Sequence, residues 1–504
     1  MTDGHLSGRR ELAALTAILA VYLLLAFYGI GRQSLWEDEY NSVWRITASV
    51  HPMWKDGHGF LYFALLYLWS FIGTSEVILR AFSVLWGATA VVLVYAVGRR
   101  LLNRRAALYG TLIFATSPYL ISYSQEVRYI TLTLVTALLA MHAFYSAVLW
   151  RDPAWWWACG AASLVAFFSF LATLMLPAVQ GIYLLASRLR RPLIRPWLVC
   201  QIAIFIVFGL WFVNGTHFPR AFTEARASGQ PALSSPVLFP FSGEFNKVRA
   251  AVIPYTFFSM SPGFSLGPAP RELYADRSLA PLLPYAPLLA LLALLYGGLL
   301  LSGWTVLRER RDSRRLLVLW MIVPVLGAFG IAKALNLFYD VRYVAMIFPA
   351  YAMFLAAGLA GFRRGVVRLL LMGAILAVHG AALANYYFDP RYAREDTRSA
   401  ARYLAAGAGP GDAVLVVGTL SSLPHYYGGN PPLLEFDVSG RSAAQLDDRL
   451  RQLSAKHERI WLVQIRPWQV DREGKVKAAL DGLYDVFEQR QFPGVEIYGY
   501  RVSK

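Results

Sequence analysis

Residues 12–44 read LAALTAILAVYLLLAFYGIGRQSLWEDEYNSVW. The first 19, Leu12–Ile30, are almost wholly apolar, and the acids Glu37, Asp38 and Glu39 follow after one short connection. A run of that length matches the ~17–25 residues a helix needs to cross a hydrocarbon core. Arg9 and Arg10 precede it. A cleaved secretory signal has an apolar core of only ~7–15 residues and a small-residue cleavage site. This run lacks that site and reads as a retained first helix. Three carboxylates, boxed in by Trp36, Tyr40 and Trp44, therefore stand where a membrane helix leaves the bilayer.

The remaining sequence is of the same kind. Of 504 residues, 57% are hydrophobic and 16% charged. A soluble domain carries about 25% charged residues, so this is a multi-span membrane composition. The two cysteines, Cys159 and Cys200, both lie in apolar runs. That excludes a disulfide framework and a cysteine-based metal site. The net charge is +17, yet residues 389–504 hold 16 Lys/Arg against 15 Asp/Glu. The basic excess sits in short loops between apolar runs, which signals topology and not nucleic acid.

Those runs are 12–30, 76–97, 106–123, 129–150, 154–170, 172–187, 196–213, 281–303, 316–335, 341–360 and 366–387. They predict about 11 transmembrane helices. The basic clusters then all fall on one side: Arg9/Arg10, Arg99/Arg100/Arg104/Arg105, Arg151, Arg188/Arg190/Arg191/Arg195, Arg308/Arg310/Arg311/Arg314/Arg315 and Arg363/Arg364/Arg368. The positive-inside rule makes that side cytoplasmic. The loops 31–75 and 214–280 and the segment 389–504 are then extracytoplasmic, and the expected location is the cytoplasmic (inner) membrane with its working face periplasmic. The apolar stretch 60–72 is too short to span and reads as an interfacial helix anchored by Tyr62, Tyr67 and Trp69.

Acids and bases from distant segments share the outer face. They are Glu37–Glu39, Asp56 and His58, Glu126 and Arg128, Arg271 and Glu272, Lys333, and Asp340 with Arg342. Ionisable groups at the membrane edge are costly and tend to be paired or functional. Activating a hydroxyl acceptor needs a carboxylate base within hydrogen-bond reach, a role that suits Asp38. Expelling a phosphate leaving group needs fixed cations, for which Arg128, Arg271, Lys333 and Arg342 are candidates. Asp56 and His58 can hold a divalent metal or position substrate. Tyr40, Tyr62, Glu126, Tyr255 and Tyr343 are candidates for positioning substrate. Plain structural readings stand beside these: solvated acids for Glu37 and Glu39, an ion pair for Glu126 and Arg128, a snorkelling side chain for Lys333, and belt aromatics for the tyrosines.

The order of these features resembles the GT-C glycosyltransferases, specifically the family 39-like group of protein O-mannosyltransferases and lipid A aminoarabinose transferases. The first outer loop of that group carries an Asp-Glu motif, matched here by WEDEY at 36–40. DGHGFLYFALL (56–66), GTSEVILRAFS (73–83), GRRLLNRRAA (98–107), SPYLISYSQEVRY (117–129) and YDVRYVAMIFPAYAMFLAAGL (339–359) follow in the family's order. One departure is Gly59-Phe60, where the group has Pro-Pro after its histidine. The resemblance implies a polyprenyl-phosphate sugar donor, an acceptor lipid, glycan or protein on the outer face, and inversion by single displacement. It makes Asp38 the base, with Glu39 its neighbour, and leaves a divalent cation open.

From Asp389 the long apolar runs stop. REDTRSAARYLAAG, AAQLDDRLRQLSAKH and KVKAALDGLYDVFEQRQF read as helices, and AVLVVGT, RIWLVQI and VEIYGYRV as strands. Residues 1–388 thus form an all-α polytopic domain and 389–504 a small α/β domain that caps the site or serves structure alone. Two rivals to the transferase remain. A transporter or flippase places ionisable groups near the bilayer midplane, where this chain offers mainly His142 and His379. A glycan polymerase or ligase would use a pyrophosphate-linked donor.

Overall fold

In the computed structural model the described residues are 2–47, 59–186, 188–215, 250–269, 272–273, 276, 278, 280–335, 338–418, 422–436, 443–466, 471 and 473–502. The chain divides into two compact units. The first comprises Met1–Tyr28, Arg45–Gly263 and Ala290–Ala382; the second comprises Gly29–Trp44, Phe264–Leu289 and Leu383–Lys504.

All eleven apolar runs are helical. Eight lie in helices long and apolar enough to cross a membrane: Gly8–Phe27, Glu76–Leu101, Ile130–Trp150, Leu189–Gly215, Ala280–Val306, Arg311–Ala334, Val341–Gly361 and Gly365–Phe388. The other three are shorter for local reasons. The run 106–123 is broken into Arg104–Thr116 and Pro118–Ser124. Proline disfavours helical geometry at the residue before it, and Ser117 is accordingly extended and caps the second piece through Tyr119 N–H at 3.2 Å. Pro153–Ser169 stops at Phe170, which is also extended, and the chain resumes through a short 3₁₀ turn into Met175–Leu185. The stretch at 60 is an 11-residue helix, Phe60–Ser70. At 1.5 Å per residue it is too short to span.

The core of the first unit is Ile130–Trp150 and Val341–Gly361, 78% and 89% buried over their apolar windows; Gly8–Phe27 is only 17% buried. Two helices meet there backbone to backbone. A Cβ on Gly358 would lie 2.0 Å from the Leu299 carbonyl oxygen, and Ser302 Oγ donates to the Gly358 carbonyl at 2.8 Å. Small residues allow this approach between membrane helices.

The second unit is built on a five-stranded mixed sheet. Its strands are β1 (Ala413–Gly418), β2 (Leu433–Glu435), β3 (Arg459–Ile465), β4 (Asp485–Phe492) and β5 (Val495–Arg501), in the order β2-β1-β3-β5-β4. β1 pairs in parallel with β2 and β3, while β3, β5 and β4 are antiparallel. Alternate residues of β1 feed two cores. Leu415 and Val417 pack with Leu446, Leu450 and Leu480; Val414 and Val416 pack with Ala400, Ala401 and Leu404 of the helix Thr397–Gly407. The single helix expected over 475–492 is corrected: it ends at Leu483, and the following residues form β4. Tyr484 is already extended, and Gly494 at φ +66° turns the chain back into β5. That turn gives the segment hydrogen-bond partners that a local pattern does not reveal.

Candidate active site

The acids of WEDEY form the first turn of the helix Glu37–Thr47. Carboxylates suit that position because it faces the positive end of the helix dipole. Glu39 reaches back to accept the Trp36 N–H at 3.4 Å, the glutamate half of a capping box. Its side chain is fully buried, and its Oε2 accepts from Arg394 Nη1 at 2.7 Å. Asp38 and Glu37 in the same turn are half-buried. Asp38 anchors the next turn through its backbone, the carbonyl accepting from Ser42 Oγ at 2.9 Å.

The chain before this turn is held by the segment after the last long helix. Leu35 N–H donates to the Tyr426 hydroxyl at 2.8 Å. Ser34 Oγ donates to Asp396 at 3.1 Å and accepts the Arg398 N–H at 3.2 Å. The Arg398 guanidinium donates to the carbonyls of Gly31 and Gln33, each at 3.3 Å. Trp36 lies under two guanidinium groups, Arg394 at 5.8 Å and Arg466 at 6.0 Å from its ring centre. Arg466 binds Glu395 in a two-pronged bridge, with Nη2 donating to Oε2 at 2.8 Å. Burial pushes the Glu395 carboxyl up, but the Arg466 guanidinium outweighs this and holds it below its usual range. Arg466 itself adopts φ +50°, uncommon for a side-chain-bearing residue. Tyr40 faces His425, ring centres 5.9 Å apart.

A second constellation lies in the other unit. Arg128 is buried and stacks on Tyr129 at 4.7 Å. Tyr129 stacks on Phe170 at 4.6 Å, and Phe170 faces Tyr343 at 6.0 Å. Beside Tyr343, Arg342 bridges Asp340 at 2.8 Å, while Asp340 caps the turn by accepting the Arg342 N–H at 2.9 Å. Glu126, Asp340 and Arg342 all act electrostatically on Tyr119 and Tyr123. One aromatic row thus connects Arg128 to Tyr343, the neighbour of Arg342.

Other candidates fall elsewhere. Glu39 is fully buried, with its carboxylate in an ion pair with Arg394. Tyr62 is fully buried with its hydroxyl on Ser83 Oγ at 3.0 Å, so it packs inside the fold and is not an interface anchor. Lys333 is exposed in the last turn of Arg311–Ala334, and Tyr255 is 41% exposed, stacked on Phe258. His379 is buried and bonded through Nδ1 to Thr116 Oγ1 at 3.0 Å, which gives it a helix-linking contact that the sequence did not show. Arg271, Asp56 and His58 lie outside the described residues. Arg394 was missed. The one local hint was its place in RYAREDTR (391–398), a charge-rich stretch directly after the last apolar run.

The family model of dolichyl-phosphate-mannose-protein mannosyltransferases matches residues 57–212. No curated protein matches the sequence. Among solved structures, ArnT from Cupriavidus metallidurans bound to undecaprenyl phosphate superimposes with a TM-score of 0.58 at 15% identity, covering 96% of this chain and 97% of that one. This chain has the GT-C fold. Two structures of the Archaeoglobus fulgidus oligosaccharyltransferase extend that GT-C likeness. One, named AglB and complexed with an inhibitory peptide and a dolichol-phosphate, has a TM-score of 0.51 at 14% identity and covers 99% of this chain and 75% of that one. The other, complexed with Zn and sulfate, has a TM-score of 0.53 at 14% identity and covers 97% and 73%. Among the described residues no group of three or more His, Cys, Asp or Glu side chains converges. The pair suggested for a metal, Asp56 and His58, lies outside them.

Proposed function

We propose that this multi-pass membrane protein is an inverting glycosyltransferase that moves a sugar from a polyprenyl-phosphate carrier to an acceptor hydroxyl. The working face is the one opposite the arginine-rich loops, periplasmic in a cytoplasmic membrane. Asp38 accepts the acceptor's hydroxyl proton, the freed oxygen bonds to the anomeric carbon, and the bond from that carbon to the phosphate oxygen breaks, returning the lipid phosphate. Arg128 and Arg342 hold that phosphate, joined by Lys333 and Arg271, and Tyr40, Glu126, Tyr255 and Tyr343 line the substrates' path.

One observation carries this reading: the different fates of adjacent acids. Glu39 is fully buried against Arg394 and fixes the turn, while Asp38 in the same turn is only half-buried and keeps part of its surface accessible. A general base needs this combination of fixed position and access. The match to a mannosyltransferase family model and the undecaprenyl-phosphate and dolichol-phosphate complexes of the GT-C relatives support the donor class.

The test is transfer from a synthetic polyprenyl-phosphate sugar by purified Asp38→Asn and Glu37→Gln variants. Loss of a positioned base lowers rate by about 10²–10⁴-fold. Asp38→Asn should fall in that range while remaining monodisperse, with Glu37→Gln near wild type. Full activity in Asp38→Asn removes the assignment.

A further inference from the structure

On the face that carries the arginine clusters, a group of side chains in the first unit is not used by the proposed reaction. Arg190, in the turn Arg188–Leu193, is 8% exposed and lies over the Tyr183 ring at 4.2 Å. Its Nη1 and the Tyr183 hydroxyl are buried without a hydrogen-bond partner among the described residues. Its Nη2 bridges to Asp312, whose side chain is 59% exposed. Tyr145 lies beside Ser313, within electrostatic reach of Arg190, Arg310 and Asp312. Arg190, Asp312 and Arg315 likewise act on Tyr183. The two loops involved, 188–195 and 308–315, hold nine arginines against Glu309 and Asp312.

We propose that this cluster is a binding site for a phosphate monoanion of the phospholipid-headgroup kind, and that Asp312 is the internal anion that a bound phosphate displaces. A buried guanidinium with an unused N–H is costly unless a further acceptor reaches it. A planar guanidinium suits two oxygens of one phosphate, more than one exposed carboxylate supplies. The Asp312 end is mostly in water, where such a bridge contributes little and yields readily. Basic pockets between membrane helices on the arginine-rich side are suited to anionic headgroups. Phosphate arriving from the interface would take the Arg190 Nη2 that Asp312 releases, with Arg310 and Arg315 adding charge at the rim.

The full chain, in phosphatidylcholine nanodiscs with increasing phosphatidylglycerol, tests this by native mass spectrometry of retained phosphatidylglycerol. Arg190→Gln should weaken retention about tenfold, the value of one hydrogen bond to a charged group. Asp312→Asn should strengthen it about two- to fivefold, as loss of an exposed competitor predicts. Arg364→Gln, which removes an equal charge from an exposed site on the same face, should leave it unchanged. Inorganic phosphate that fails to compete identifies the lipid headgroup as the source; equal competition identifies free phosphate at the same site. Arg190→Gln behaving like Arg364→Gln, or Asp312→Asn binding no better than wild type, overturns the proposal. Because Asp312 is exposed, its variant decides the matter even where Arg190→Gln fails to fold.

Discussion

Replacing Arg394 by Ala should destabilise the second unit and abolish transfer together, although Arg394 is 356 positions beyond Asp38 in the chain. The Glu39 carboxylate is 0% exposed and Arg394 only 14% exposed, at 2.7 Å. Removing one partner of a buried pair leaves its charge uncompensated and costs about 3–5 kcal/mol; the slight access at Arg394 sets the expectation at about 3 kcal/mol. For a folding unit of this size that is a fall of roughly 6–12 °C in the unit's transition. Glu39→Gln retains the shape and an acceptor for the Trp36 N–H, so it should cost less, about 1–2 kcal/mol. In Glu39→Gln/Arg394→Ala, removal of the guanidinium leaves no buried anion behind. The double variant should therefore be more stable than the sum of the single losses by about 1–3 kcal/mol. Thermal unfolding followed by tryptophan fluorescence reads these values, with Trp36 and Trp461 as reporters in this unit. Strict additivity of the two changes would refute the coupling. Normal transfer by Arg394→Ala would refute the claim that this pair positions the turn carrying Asp38.

Other expectations follow from the same geometry. Arg128→Gln and Arg342→Gln should each raise KM for the lipid-phosphate donor about tenfold, the value of a hydrogen bond to a charged group, with acceptor KM little changed; unaltered donor kinetics in both removes the phosphate-holding role. Arg466 holds the Glu395 carboxyl below its ordinary value of 4.5. The unfolded chain therefore takes up that proton first, and the stabilisation is full above the unfolded value and lost as pH falls through the lower folded one. Thermal stability measured from pH 6 down to pH 3 should show this loss in wild type and a flatter profile in Glu395→Gln. A Gly358→Ala side chain would meet the Leu299 carbonyl oxygen at 2.0 Å, so overpacking should cost about 1–3 kcal/mol in detergent unfolding, a loss that Gly373→Ala, with open space around it, should not show.

The membrane-spanning pattern was legible because apolar runs and their arginine boundaries are local features of the chain. Each of the eleven runs became helix, and only the Ser117-Pro118 break and the Phe170 turn divided what hydropathy alone joined or blurred. The alternating α/β character of the C-terminal segment was equally local. β4 was not, since the residues 485–492 become strand through pairing with β5 across the Gly494 turn. Tyr62 carries an interface-like composition around it, yet the fold spends it on Ser83 in the core. Arg394 shows the same limit from the other direction: its bond to Glu39 joins residues 355 positions apart, and no spacing rule reaches that far.

That pair also explains why WEDEY holds more acids than one base requires. A single aspartate at the start of a helix just beyond a membrane span would share the fraying of any helix terminus. Here Glu39 closes the terminus from within by taking the Trp36 N–H, and closes it from outside by taking Arg394. Ser34, Leu35 and the carbonyls of Gly31 and Gln33 are tied to Asp396, Tyr426 and Arg398 just upstream. The loop that delivers Asp38 is thus fixed on both sides of the residue by polar bonds, without burying Asp38 itself. A carboxylate that must stay accessible cannot be ordered by packing its own side chain. Its neighbours must be ordered in its place, and the sequence supplies an acid on one side and a bonded loop on the other. In the proposed reaction the same logic gives residues 394–398 a positioning role: none of them needs to touch a substrate, since their effect on transfer would run through the position of Asp38.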